Sequence, residues 1–261
     1  MLYAYNTEGR RTPLILTHGM YGFVPYRRGR TMAEYFGPDQ PIYALEAPGF
    51  DGKQKAYATV QDAARGYLAE IRRAGAKPPF HVAGLCAGCL VAFQIAQQLA
   101  AEAQFADGAA APPLLMMIDP PGLPGEGVSA EKFTPQVVDL LREQVRHWFV
   151  TARERTAELP FDIDDPGNFE RAIEVALAME MSFNRYFAAP YQGKVEVLVI
   201  DNRAEILQRR NWPWHKVLVG PWNMTTINCK HSDLFTTQAL EVFAWLRKCI
   251  EESGGAATRP H

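Results

Sequence analysis

Six short, almost unbroken apolar runs punctuate the chain: "TPLILTH" (12–18), "QPIYALEA" (40–47), "PFHVAGL" (79–85), "PLLMMID" (113–119), "KVEVLVID" (194–201) and "MTTINCK" (224–230). Runs of this length predict strands, and their lack of polar alternation predicts burial on both faces, as a parallel sheet requires. Between them, "RGRTMAEYFG" (28–37), "TVQDAARGYLAEIRRAG" (59–75) and "CLVAFQIAQQLAAEAQ" (89–104) carry apolar residues at helical spacing. Strand, helix, strand in this order implies right-handed crossovers and a doubly wound sheet. Such sheets bind ligands beyond the carboxyl ends of their strands, so function is expected on those loops.

Residues 123–190 break the alternation, because helical patterns dominate there and no convincing strand occurs. The expectation is one α/β domain over residues 1–261, with 123–190 inserted in it as a helical lid over the strand ends. The segment "ADGAAAPP" (106–113) reads as a loop and "ESGGAATRPH" (252–261) as a linker-like tail. With 27 basic and 29 acidic residues and a net charge of −2, the chain has no field to attract nucleic acid or an anionic membrane. Its apolar runs are too short to span a bilayer, and "MLYAYNTEGRR" has no signal-peptide core, so a cytoplasmic protein is expected. Four cysteines, irregularly spaced, do not make a disulfide scaffold and agree with a reducing compartment.

One of those cysteines is placed for chemistry. The stretch "FHVAGLCAGCLVAFQIAQQLA" (80–100) runs from strand through Gly84-Leu85-Cys86-Ala87-Gly88 into helix. Small residues two before and two after Cys86 permit the sharp turn of a nucleophile elbow, which exposes the central side chain over the sheet. The free N–H groups of the following helix favour negative charge there. Rival readings exist. A merely buried cysteine leaves the paired glycines unexplained. A Cys-x-x-Cys redox pair with Cys89 fits the spacing, but follows three strands in a chain far larger than a thioredoxin-like domain. Zinc would need two further ligands, and no second Cys-x-x-Cys or His-x-x-x-His pair occurs.

A nucleophile needs a base, and the base an orienting acid. Of six histidines only His231, in "NCKHSDLF", lies just after the last expected strand and before the helical run "QALEVFAWLRK", where a base serving such an elbow belongs. The acid has two candidate places. Asp119 ends the strand beside that of Cys86 and is followed by "PPG"; Asp201, or Glu205 beyond it, ends the next strand. Asp119 is the preferred reading. An oxyanion would be met by the backbone N–H of Ala87 and by one from the loop after "LILTHG", at Met20. His18 precedes that loop and reads as structural.

Taken together, "LTHGMYGFVPYRRGRTMAEYFGPDQPIYALEAPGFDG", "GLCAGCLVAFQIAQQL", "MIDPPG", "YFAAPYQGKVEVLVID" and "CKHSDLF" resemble the releasing thioesterase domains of nonribosomal peptide and polyketide synthases, over Leu14 to Leu246. The resemblance implies an α/β-hydrolase fold, Cys86 as acyl-accepting nucleophile, His231 as base, Asp119 as acid, and Met20 and Ala87 as oxyanion donors. It implies no directly bound cofactor: a peptidyl carrier protein would deliver the acyl chain on its phosphopantetheine arm. Cysteine replaces the usual serine, as in a minority branch that closes β-lactone and β-lactam rings. An acyl-cysteine is about as energetic a donor as the incoming thioester, whereas an acyl-serine is a weaker one, and a strained ring needs the stronger donor. Tyr21, Trp148, Phe183, Asn184 and Arg185 are expected to line the substrate space, whereas Arg27, Arg28 and Arg30 read first as residues that solvate a helix start, with an acidic carrier or substrate group as the rarer alternative. A plain hydrolytic or editing thioesterase, a cysteine-dependent esterase and a non-catalytic binding module are the alternatives.

Overall fold

The computed structural model describes residues 1–22, 26–105, 111–123, 133–154, 161–201 and 212–253. Among them, strands β1 (Leu2–Tyr5), β2 (Leu14–Leu16), β3 (Ile42–Leu45), β4 (His81–Leu85), β5 (Leu115–Ile118), β6 (Val195–Ile200) and β7 (Trp222–Ile227) form one sheet in the order β1-β3-β2-β4-β5-β6-β7. Only β1 runs antiparallel, pairing Leu2 with Leu45 and Tyr5 with Ile42. The helices are α1 (Tyr26–Phe36), α2 (Val60–Arg73), α3 (Gly88–Phe105), α4 (Pro135–Glu154), α5 (Pro166–Asn184) and α6 (Ala239–Glu252).

Five of the six apolar runs behave as the sequence predicts, but the run at 224–230 does not: β7 ends the sheet order, and in it only Ile227 is buried, because an edge strand is not covered on both faces. Every residue of β2, β3, β5 and β6 is buried. Within each strand alternate side chains enter opposite cores: Ile15, Val82, Met117 and Val197 pack on one side, Leu16, Ala83, Ile118 and Leu198 on the other. The first core is closed by α2 and α3 and extends to α4 and α5, while α1 and α6 close the second. In α2, Val60, Ala63, Ala64, Tyr67, Leu68 and Ile71 make the buried stripe. Its first turn is held by Thr59, whose side chain accepts the Asp62 N–H at 3.0 Å.

Strand β1 was not expected. It is a four-residue, half-buried edge strand, too short to register as a periodic pattern. The last strand ends at Ile227 rather than Lys230, which leaves Cys229 and Lys230 to the loop carrying His231. Helices α4 and α5 lie between β5 and β6, and the described residues of the inserted segment hold no strand. Asp165 caps α5 by accepting the Asn168 N–H at 2.8 Å, with Pro166 in its first turn. No helix among the described residues is long and apolar enough to cross a membrane.

Candidate active site

The turn at Cys86 is tight for two reasons. Cys86 itself has φ of +52°, a left-handed conformation that non-glycine residues seldom adopt. Its flanking glycines are packed against neighbours: a Cβ on Gly84 would lie 2.8 Å from the Cys89 Cα, and one on Gly88 would lie 1.7 Å from the His18 carbonyl oxygen. Gly88 therefore lets the start of α3 press against the loop after β2. The Cys86 N–H donates to the Ile118 carbonyl at 2.9 Å, tying the elbow to β5. Cys86 remains partly exposed.

One residue beyond Ile118, Asp119 leaves β5 with φ of +47°, its N–H donating to the Leu198 carbonyl at 2.6 Å. It is fully buried, and its Oδ2 lies 2.5 Å from Nδ1 of His231 across 112 residues of sequence. Because a carboxylate only accepts, Nδ1 carries the proton and Nε2 is the nitrogen left for chemistry. Hydrogen bonding to Asp119 first, and then to Cys86, raises the His231 imidazolium to a pKa of about 9 against a smaller effect of burial. The ring thus stands between a buried carboxylate and the Cys86 thiol. This arrangement can move a proton between the Cys86 thiol and a second group while the Asp119 carboxylate holds the ring.

The structure separates the acid candidates. Asp201 is exposed at the end of β6 and Glu205 lies outside the described residues, so the contact to His231 is made by Asp119. Ala87 is buried directly after the elbow, and Met20 is partly buried against the same core. Neither the Met20 nor the Ala87 N–H donates to a carbonyl among the described residues.

Among the residues expected to line the substrate space, Tyr21 and Trp148 meet, with ring centroids 4.2 Å apart, joining the loop after β2 to α4. Burial first, then Glu180 and Cys86, pushes the Tyr21 phenol up to about 12. The other three have partners of their own. Phe183 is buried in the core, the Asn184 amide donates to Glu180 at 3.1 Å, and Arg185 lies over the Phe133 ring at 4.8 Å. Arg30 forms an ion pair with Glu34 at 3.1 Å, and the Arg27 and Arg28 side chains lie outside the described residues. Cys89 is fully buried, its thiol donating to the Gly84 carbonyl at 3.1 Å.

Two supporting residues escaped the sequence reading. The Thr17 hydroxyl donates to the Gly88 carbonyl at 2.9 Å and so fastens the loop after β2 to the elbow. The Trp214 indole N–H donates at 2.7 Å to the carbonyl of Pro121, holding the turn that follows Asp119. Trp214 is 93 residues from that carbonyl, and no local pattern announces the contact.

A sequence family described as a thioesterase domain matches residues 13–248. The chain is 36% identical over 92 residues to the nonribosomal peptide synthetase atrA of Aspergillus terreus, a match covering 35% of this chain and 10% of that protein. It thus spans a small part of that relative's length. Its fold is similar to the NocB thioesterase domain in covalent complex with a fluorophosphonate nocardicin G analog, with a TM-score of 0.70 and 21% identity over 96% of this chain and 99% of that one. A four-domain nonribosomal peptide synthetase, holo-AB3403 bound to AMP and glycine, contains a similar fold, with a TM-score of 0.69 and 17% identity over 94% of this chain and 20% of that one. At these identities the likeness to the two structures is one of fold.

Proposed function

This chain belongs to the thioesterase domain family, and on that premise we propose that it releases a peptidyl or acyl chain from a carrier-protein phosphopantetheine thioester by way of Cys86. The observation that carries the reading is the line of groups at the strand ends, Asp119 Oδ2 at 2.5 Å from His231 Nδ1, with the Cys86 thiol on the same ring. In the first step the Cys86 sulfur attacks the thioester carbonyl. The tetrahedral oxyanion is met by the N–H groups of Met20 and Ala87. It collapses with loss of the pantetheine thiol, which takes the proton His231 received from Cys86. In the second step His231 accepts a proton from an amine, hydroxyl or water that attacks the acyl-cysteine, and Cys86 leaves and regains that proton.

An internal nucleophile gains from proximity, and helices α4 and α5 would serve it by covering the strand ends and excluding water. Because acyl transfer from one thioester to another conserves the donor's energy, cysteine in place of serine favours ring closure, and a β-lactam or β-lactone is the product this reading expects. The chain's likeness to part of a nonribosomal peptide synthetase supports a peptidyl carrier domain as the delivering partner.

Intact-protein and product mass spectrometry, with a short peptidyl thioester bearing a β-amine or β-hydroxyl, tests the proposal. The expected result is an acyl adduct on Cys86 and a product lighter than the free acid by one water, with the cyclic product lost in Cys86→Ser. Free acid alone would establish a hydrolytic thioesterase instead. No adduct from any acyl thioester would refute the nucleophile assignment.

A further inference from the structure

Two fully buried side chains beside the site take no part in the steps above. His18 ends the run after β2, and Tyr67 stands on the inner face of α2; neither exposes any surface. The His18 Nε2 lies 2.9 Å from the Tyr67 hydroxyl and its Nδ1 lies 2.8 Å from the carbonyl oxygen of Gly19. These partners determine the proton positions. A carbonyl can only accept, so Nδ1 carries the hydrogen, and Nε2 must then accept from the tyrosine. Burial lowers the His18 pKa to about 4, which keeps the ring neutral in this tautomer at ordinary pH.

The carbonyl at the end of this chain belongs to the peptide that carries the Met20 N–H. A peptide unit is planar and trans, so its C=O and N–H point in opposite directions, and holding one aims the other. Packing around the glycine does not hold it: a Cβ on Gly19 would meet no atom within 4 Å. Hydrogen bonds do. The Gly19 carbonyl accepts from His18 and also from the Gly22 N–H at 3.2 Å, and the Gly22 carbonyl in turn accepts the Ala47 N–H at 2.5 Å. The same loop is pressed on the elbow where Gly88 meets the His18 carbonyl.

We infer that the buried Tyr67–His18 pair is a positioning device for acyl transfer: it fixes the Gly19–Met20 peptide so that the Met20 N–H is aimed at the oxyanion. The inference rests on the proposed function, in which Met20 is an oxyanion donor. Neither His18 nor Tyr67 touches the acyl group. Both act through the peptide.

The test compares two reactions of one sulfur. Acylation of Cys86 by an acyl N-acetylcysteamine thioester passes through an oxyanion, whereas alkylation of Cys86 by iodoacetamide does not. In His18→Leu, acylation is expected to fall about 10- to 100-fold, since losing a whole oxyanion donor costs about 100- to 1,000-fold. Alkylation should stay within about twofold of wild type, because Cys86, His231 and Asp119 are untouched. His18→Asn, whose amide N–H can replace that of Nδ1, should recover acylation to within about fivefold. Tyr67→Phe, a milder change for which folding is less at risk, should show the same split at about three- to tenfold. Wild-type acylation in folded His18→Leu, or in Tyr67→Phe should His18→Leu not fold, overturns the inference, and so does a parallel fall of both reactions. Cys86→Ala separates the two readings. Thioester turnover by that variant would refute the nucleophile itself, whereas a silent Cys86→Ala beside an undiminished His18→Leu refutes only the positioning role.

Discussion

Asp119→Asn removes the charge that holds His231 while keeping the shape of the side chain, and its effect is expected in stability as well as activity. The His231 imidazolium is raised from 6.5 to about 9, with the hydrogen bond to Asp119 as the first cause. At about 1.4 kcal/mol per pH unit the full rise corresponds to about 3 kcal/mol. The His231 side chain is 39% exposed, so water screens part of this, and roughly half, about 1.5 kcal/mol, is a fairer figure. A raised folded-state pKa stabilises the fold fully below the unfolded value and loses that contribution as pH climbs through the folded value. The window is therefore pH 6.5 to about 9. Urea unfolding at about pH 6 and about pH 9.5 should show wild type losing about 1–2 kcal/mol more than Asp119→Asn. The buried Glu46, raised to about 7 by desolvation, also titrates between these limits, but it does so in both proteins and cancels in the difference. NMR titration of His231 should place it near 9 in wild type and lower in the variant. Acyl transfer should fall by about 100- to 10,000-fold, as when a triad aspartate is replaced by its amide. Parallel pH–stability curves for the two proteins, or a wild-type His231 titrating near 6.5, would refute the reasoning.

Two other substitutions separate structure from chemistry. Gly88→Ala would set a Cβ 1.7 Å from the His18 carbonyl, so a loss at or beyond the upper end of the usual overpacking cost, about 3 kcal/mol, is expected in thermal unfolding. An unchanged melting temperature would show that the loop and elbow are not in contact. Cys89→Ala deletes a buried thiol and its bond to the Gly84 carbonyl, with an expected cost of about 1–2 kcal/mol in denaturant but acyl transfer within about threefold of wild type. Abolished turnover in a folded Cys89→Ala would point to dithiol chemistry at the Cys-x-x-Cys stretch instead.

Strand and helix order, the elbow at Cys86 and the place of His231 were legible in the linear chain, because each depends on backbone periodicity or on a turn made by adjacent residues. Both-face burial of the central strands could be read from apolar runs for the same reason. The edge strand β1 could not, since four half-buried residues leave no period to detect and pairing with β3 is what makes them a strand. Phe183 shows the limit on a helix. Its apolar character marks it equally for core or substrate space, and only the packing of α5 puts it in the core.

The acid illustrates the division most sharply. Sequence by itself determined that a carboxylate stands at the end of two neighbouring strands, Asp119 after β5 and Asp201 after β6. Tertiary structure alone shows which of them meets His231: parallel register and the loop after β7 bring His231 to Asp119, at 2.5 Å, and leave Asp201 exposed. The same holds for Thr17 on the Gly88 carbonyl, Trp214 on that of Pro121 and His18 between Tyr67 and Gly19. Local patterns record how the backbone must coil, whereas a hydrogen bond between strand ends exists only once the register of the whole sheet has set which ends meet.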